Sequence, residues 1–377
     1  MPISVLKLLS ADEFRSGEEI SQRLGLSRAS VHNLVERARE LGVEVHAVRG
    51  KGYRLAEPCS WLAGERLAAA SQGGFNVLLH QEVDSTNSLL LGLAQQGQGH
   101  KSVLAAEWQS GGRGRRGRSW FSSLGGGLTF SLLWRFNRPL TALSGLSLAI
   151  GVALARGLRA LGLVEVRVKW PNDILIDGRK LAGILIETHG DMLSAATAVI
   201  GIGINVKPRP LTPSPSPSRG PALRAQDATE LRSRAERGMG RRPTEGDAAA
   251  RERVAAGGLT FHDPLRLATM PHDYVAVAIE EVLGRQLDRN ELLLRLLAEL
   301  DDVLKAFDLY GFAPFRDEWQ QLHVWQDKPV RVLGGGSAPI EGIALGVDEA
   351  GVLQVATADG VRAIHSGEVS LRAGGTG

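Results

Sequence analysis

Between Glu107 and Trp120 the chain runs through Trp108, Gln109 and Ser110, and then through Gly111-Gly112-Arg113-Gly114-Arg115-Arg116-Gly117-Arg118. Four glycines and four arginines in a row cannot make a helix or a buried strand, so the flanking apolar segments must be joined here by a loop. Glycine lets a backbone take positive φ and come close to a ligand. Arginine offers a fixed fork of N–H donors that pairs with carboxylate or phosphate. The stretch therefore reads as a loop that grips a small anion.

Other readings compete. Gly112, Gly114 and Gly117 match the dinucleotide fingerprint literally, but that fingerprint needs a helix at its third glycine and an acidic residue about 20 positions on. Ser119-Trp120-Phe121 and Gly125-Gly126-Gly127 follow instead, and the later position holds Asn137 and Arg138. An arginine-glycine segment for nucleic acid usually lies in a tail, whereas this one lies between strands. A solvated cationic loop is the bland alternative.

At 377 residues the chain has room for two or three domains, and 43% apolar with 23% charged residues is ordinary for a globular protein. A net charge of +3 says little about polyanion partners. Cys59 is the only cysteine, which excludes an intrachain disulfide and a multi-cysteine metal site. No signal-peptide pattern opens the sequence, and the most apolar run, 142–155, is broken by Ser144, Gly145 and Ser147. The expectation is a cytoplasmic protein with no membrane partner.

Residues 1–58 read as a separate winged helix-turn-helix domain. Val5, Leu6, Leu8 and Leu9 suggest a first helix, and Ser16 with Glu19 has capping-box spacing for a second through Leu24. Ser27 caps a third, with Val31, Leu34, Ala38 and Leu41 on one face. The alternating strand 43–48, a basic turn at Arg49-Gly50-Lys51-Gly52 and Tyr53–Leu55 complete a hairpin. The third helix would enter a major groove with Ser27, Arg28, Ser30, His32 and Asn33, while Arg49 and Lys51 on the wing would meet phosphates. A three-helix interaction module with ordinary polar residues is the alternative.

Residues 59–74 read as a linker, with a helix from Ser60 to Ser71, and 75–326 as a second domain. Strands are expected at 75–80, 102–107, 127–134, 164–170, 173–176, 181–186 and 198–206, with helices at 88–94 and 141–161. Asp84-Ser85-Thr86-Asn87 before a helix is most often only a cap. Asp177-Gly178 signals a hairpin turn. Lys180, at the mouth of a nearly all-apolar strand, either snorkels to water or reaches an anion. From Lys207 to Ala256 the chain is rich in Pro, Arg, Ser and Gly, with Pro and Ser alternating over 213–218. This reads as a disordered insertion, about 207–270, that is inert rather than regulatory. Helices follow at 272–283, 289–307 and 314–322. Short strands at 329–333, 340–347, 352–357, 361–364 and 369–371 make a small β-barrel over 327–377. The fold class is α+β.

The arginine loop, Lys169-Trp170-Pro171-Asn172-Asp173 and Lys180-Leu181-Ala182-Gly183-Ile184-Leu185-Ile186-Glu187, in this order, resemble the biotin protein ligases. With 3–56 ahead of them, the chain resembles the bifunctional bacterial biotin ligases that also repress the biotin operon. The resemblance covers about 1–206 and 271–372, and the insertion has no counterpart in it. It implies a mixed-sheet catalytic domain of the biotin/lipoate ligase type and an SH3-like C-terminal barrel. It implies ATP with Mg²⁺ and biotin as substrates and no tightly held prosthetic group. Biotinyl-5′-AMP would be bound intermediate and corepressor. A biotin carboxyl carrier protein, operator DNA and a second copy in a ligand-promoted homodimer would be the partners. An adenylate-sensing repressor with weak or lost ligase activity is the alternative.

Residue by residue, the resemblance implies that Ser85, Thr86 and Gln109 hold the ureido ring. Asn87, Arg113, Gly114, Arg115 and Lys180 would complete the biotin site. Arg118, Trp120, Asn172, Asp173 and Asn205 would contact the nucleotide, with Trp120 stacked on adenine. Lys180, Arg115 and Arg118 would stabilise charge at the carboxylate–phosphate junction, and Asp173 would help position Mg²⁺ or pyrophosphate. The arginine loop would be disordered without ligand and close over the site as a lid.

Overall fold

A computed structural model describes residues 2–190, 195–208, 275–334, 338–366 and 369–373. The proline-rich insertion of the sequence, and the start of the helix expected from His272, lie outside these residues.

Three sheets organise the described residues. The first is the wing, β1 (Val45–Val48) paired antiparallel with β2 (Gly52–Leu55). Packed with it are α1 (Pro2–Leu6), α2 (Gly17–Leu24) and α3 (Arg28–Glu40). Ser16 and Ser27 cap α2 and α3 as their spacing predicts, each accepting a backbone N–H at 3.1 Å. Gly52 is required where it stands: its φ is +104°, and a Cβ would lie 2.0 Å from the carbonyl oxygen of Arg15.

The central sheet has seven strands, β3 (Asn76–Val83), β4 (Ser102–Gln109), β5 (Gly127–Arg135), β6 (Arg167–Lys169), β7 (Asp173–Ile176), β8 (Arg179–His189) and β9 (Thr197–Asn205). Their order is β3-β4-β5-β9-β8-β7-β6, with β3 and β4 parallel and every other neighbour antiparallel. Period-two alternation decides which side chain faces where. Ala198, Ile200, Ile202 and Ile204 of β9 enter the main core with Leu128, Phe130 and Leu132 of β5. That face is covered by α6 (Leu146–Ala160), α8 (Arg289–Tyr310) and α9 (Arg316–Leu322). The opposite face receives α5 (Thr86–Gln95), which packs Leu90 against Leu104, Ala106, Leu133 and Val199. Beyond α5 the same face presents Gly201, Gly203 and Asn205 of β9.

The C-terminal sheet has the order β13-β12-β11-β10-β14 and is wholly antiparallel. Its strands are β10 (Pro329–Gly334), β11 (Ile340–Val347), β12 (Leu353–Thr357), β13 (Gly360–Ile364) and β14 (Val369–Ala373).

Four expected elements differ. The linker helix is only α4 (Gly64–Leu67) followed by a 3₁₀ turn over Ala68–Gly73. Residues 60–63 stay out of the helix because their polar groups bond elsewhere: the Leu62 N–H donates to Glu107 Oε1 at 2.7 Å and the Ala63 N–H to Asn290 Oδ1 at 2.9 Å. Glu107 is in turn buried in an ion pair with Arg289, 2.5 Å apart. The helix expected over 141–161 breaks at Gly145, whose φ of +78° lets the chain turn from a 3₁₀ segment into α6. The strand expected over 164–170 narrows to β6 at the sheet edge and ends in the cis peptide Trp170–Pro171. The helix expected to end at Leu283 is α7 (Ile279–Leu283) alone, since Ala276 forms a parallel bridge with Lys180.

Candidate active site

The site is built on the open part of the sheet face beside α5. Gly183 of β8 and Gly203 of β9 are paired across the ladder, and the indole of Trp120 lies on them. A Cβ at Gly203 would come within 2.3 Å of that indole, and one at Gly183 within 3.3 Å. The two glycines are therefore a floor for a flat group. The indole Nε1 is buried without a hydrogen-bond partner.

The arginine loop folds back over this floor. Gly114 N–H donates to the Arg118 carbonyl at 2.6 Å and Trp120 N–H to the Gly112 carbonyl at 2.8 Å, so residues 112–120 make a narrow hairpin. Its tip is a 3₁₀ turn over Arg115–Gly117, with Arg116 at φ +60°. Glycine is needed at 112, where a Cβ would sit 2.3 Å from the Trp120 carbonyl oxygen. No helix follows Gly117, which disposes of the dinucleotide reading.

A chain of hydrogen bonds runs beside the floor. Gln109 Oε1 accepts from Thr86 N–H at 2.7 Å and from Thr86 Oγ1 at 3.0 Å. Ser131 Oγ, fully buried, lies 2.8 Å from Thr86 Oγ1 and 2.6 Å from Asn87 Oδ1. Asn87 Nδ2 donates to the Leu185 carbonyl at 3.2 Å and to Glu187 Oε2 at 2.9 Å, and Arg113 donates to the same oxygen at 2.6 Å. Ser85 is the N-cap of α5, its Oγ 3.4 Å from Ser88 N.

At the other end are the cations. Lys180 Nζ lies 2.7 Å from Asp173 Oδ1 and 5.6 Å from the centre of the Trp120 ring. Lys169 Nζ is 3.7 Å from Asp173 Oδ2 and is itself buried. Arg115 donates to Asn172 Oδ1 at 3.3 Å and to the carbonyl of Ser366, which follows β13 of the C-terminal sheet. Burial pulls its guanidinium below the usual arginine value, and Asp173 partly offsets this. Asn172 Nδ2 donates to the Ile184 carbonyl at 2.8 Å, and Asn205 Nδ2 to the Lys180 carbonyl at 3.2 Å. These two asparagines brace backbone around the floor. Arg118 is exposed on the outgoing arm of the hairpin.

Asp173 fits a metal poorly. Both its oxygens face ammonium groups, and among the described residues no group of three His, Cys, Asp or Glu could hold an ion. The role expected for it with Mg²⁺ gives way to that of a counter-charge for two lysines.

Comparison with known proteins settles the lineage. The biotin/lipoate A/B protein ligase family model matches residues 79–205, an HTH domain model matches 3–54, and the biotin protein ligase C-terminal domain model matches 327–372. The bifunctional ligase/repressor BirA of Salmonella typhimurium is 35% identical, over 99% of this chain and 98% of that one.

The chain belongs to the BirA family of bifunctional ligase/repressors.

The Escherichia coli BirA is 34% identical, over 99% of this chain and 97% of its own. Among solved structures, the biotin protein ligase of Aquifex aeolicus in complex with biotin and ATP superimposes with a TM-score of 0.54 at 26% identity, covering 79% of this chain and 99% of that one. In this BirA-family chain the predicted groove-reading residues sit where α3 begins. Ser27, Arg28, His32 and Asn33 are exposed, whereas Ser30 is half-buried and its Oγ lies 2.9 Å from that of Ser27. Arg28 is engaged by Glu18 of α2, and His32 Nδ1 lies 3.5 Å from the Tyr53 hydroxyl. Arg49 and Lys51 are exposed at the wing turn.

Sequence reasoning missed Ser131, Ser366 and any role for Glu187. Ser131 was findable: it alternates with Phe130 and Leu132, so it must face away from the core. Ser366 was not, because nothing local signals that the C-terminal sheet meets the loop.

Proposed function

We propose that the chain is an ATP-dependent biotin protein ligase that also represses transcription through its N-terminal domain. Its carboxylate substrate attacks the α-phosphorus of ATP, giving biotinyl-5′-AMP and pyrophosphate. The ε-amine of one lysine on a biotin carboxyl carrier protein then attacks the acyl carbon, and AMP leaves. The observation that carries this reading is the juxtaposition of a neutral hydrogen-bonding pocket, Gln109–Thr86–Ser131–Asn87, with a cationic cluster across a glycine floor. A ureido ring suits the first and two repelling anions suit the second.

Chemically, the protein must hold a carboxylate and a phosphate in line, and fixed positioning is worth roughly 7–11 kcal/mol at the extreme. Lys180 and Arg115 are the groups placed to do so, with Arg118 added when the hairpin bears on a ligand. Asp173 orients the Lys180 ammonium, and Asn172 orients Arg115. Cations that are already in place stabilise charge built up in the transition state without reorganisation. Trp120 supplies the flat face for adenine, and Gly114 lets the hairpin backbone approach. Asn205 holds the strand backbone at Lys180. Mg²⁺ enters with ATP as its chelate. The adenylate is the corepressor in this reading: clamping of the latched hairpin down on it promotes a homodimer, whose two-fold axis matches a palindromic operator.

One preparation tests the whole reading. Mixed with biotin and MgATP, the protein retains a mass equal to biotinyl-5′-AMP and passes biotin to an added carrier domain. In the ultracentrifuge the same mixture sediments as a dimer. Absence of both the adenylate and the transfer removes the ligase reading. An unchanged sedimentation profile removes the coupling to dimerisation.

A further inference from the structure

We propose that Glu187 is a positioning residue that latches the arginine hairpin to the biotin pocket; what the pocket holds rests on the ligase reading above. Glu187 lies near the end of β8 and shares the site face with Gly183 and Leu185. One of its oxygens, Oε2, receives both Asn87 Nδ2 at 2.9 Å and Arg113 Nη2 at 2.6 Å. Asn87 is 3% exposed. Its Oδ1 would lie 2.2 Å from a Cβ at Gly201, so the amide already touches the sheet, and its orientation is set by donation to Glu187 and the Leu185 carbonyl.

The consequence is a closed circuit. Gln109, the last residue of β4, starts the chain of bonds through Thr86, Ser131 and Asn87, and Arg113, within the hairpin, ends it on Glu187. The first arm of the hairpin is thereby tied at 109 and at 113 to one buried network. The Arg113–Glu187 pair is the only link of the circuit that carries charge on both partners. Its side chains are 43% and 26% exposed, so it is strong enough to hold a loop and weak enough to be screened by salt.

Glu187→Gln isolates this role. A glutamine still accepts from Asn87 but no longer attracts the guanidinium. In the ligand-free full chain, tryptic cleavage after Arg115, Arg116 and Arg118, read by mass spectrometry, is expected to rise about fivefold. The difference from wild type should shrink as salt is raised from low to about 0.5 M, because salt opens the wild-type latch as well. Glu187→Asp, which keeps the charge, should restore much of the protection. Arg113→Gln, and Arg113→Gln combined with Glu187→Gln, should each match the single Glu187→Gln rate, since one broken link opens the same hairpin. Unchanged cleavage in Glu187→Gln overturns the proposal. So does a salt-independent effect, or additive effects in the double variant. The adenylate should also leave Glu187→Gln about fivefold faster than wild type. If wild type forms no adenylate at all, the ligase reading fails on its own and the proteolysis still decides the latch.

Discussion

At the scale of single residues, the site is shaped as much by missing side chains as by present ones. Gly203 has no room for a methyl group: a Cβ there would meet the Trp120 indole at 2.3 Å. Gly203→Ala must therefore lift the ring off the sheet, and such overpacking costs about 1–3 kcal/mol where neighbours cannot yield. Trp120 sits on a hairpin that can yield, so the expected loss falls on function. The KM for ATP should rise about tenfold, with little change in melting temperature, in steady-state assays paired with thermal denaturation. A variant that instead melts much earlier, with ATP handling intact, would show the floor to be structural only. Chemistry-bearing residues of this kind were partly legible in the sequence. The arginines, Gln109 and Lys180 stand out because an exposed cation or amide beside an apolar strand needs a reason. Gly183 and Gly203 do not stand out, because a glycine in a strand looks the same whether it clears space for a ligand or merely weakens the sheet. Glu187 hides for a related reason: its partner, Arg113, is 74 positions away.

Elements were most legible where burial imposes a period and least where a neighbour overrides it. The apolar alternation of β9 and the Asp177-Gly178 turn, both residues at positive φ, follow from local rules. The linker helix does not, because Glu107 and Asn290 bind backbone groups that a helix would have used. The junction of α9 with β6 is another neighbour effect, and it has a pH signature. His323 follows α9, bridges Val168 and stacks on Trp319 with ring centres 4.5 Å apart. Neither ring nitrogen has a hydrogen-bond partner. Burial, helped by the nearby Lys328 charge, pushes its pKa down to about 3 from 6.5. The unfolded chain therefore binds a proton below pH 6.5 that the folded chain refuses until about pH 3. Stability contributed by the neutral imidazole is present above pH 6.5 and is lost as pH falls through that window. Between pH 7 and pH 5 the loss is about 2 kcal/mol. His323→Phe keeps the stacking and removes the titration, so its stability advantage over wild type in urea should grow by about that amount on acidification. Parallel pH dependences of the two proteins would show that His323 is not the group responsible.

For the molecule as a whole, the informative fact is whose core Leu124 belongs to. The cluster that contains Ile3, Leu6, Ile20, Val31 and Val35 of the N-terminal helices and Leu55 of β2 also contains Trp108 and Leu124. Those two residues bracket the arginine hairpin, one before it on β4 and one after it. The Leu124 N–H donates to the Leu41 carbonyl at 3.2 Å, and Gly42 packs so closely on Ser123 that a Cβ would stand 3.1 Å from it. The buried Glu107–Arg289 pair fixes the linker at the same place, with Arg289 also donating to the Ser60 and Gly127 carbonyls at 2.7 and 2.8 Å. The N-terminal helices and the arginine hairpin thus share a wall, and no residue pattern within 3–56 announces it. Leu124 is 3% exposed, and truncating a buried leucine to alanine costs about 2–5 kcal/mol. Because that cost falls on a core of only about a dozen side chains, Leu124→Ala should detach the N-terminal helices first. Denaturation followed by circular dichroism should then show an early partial loss of helix, before the main transition that the central sheet controls. A single transition, displaced as a unit, would mean that the two cores melt together and that the wall they share is stronger than one leucine.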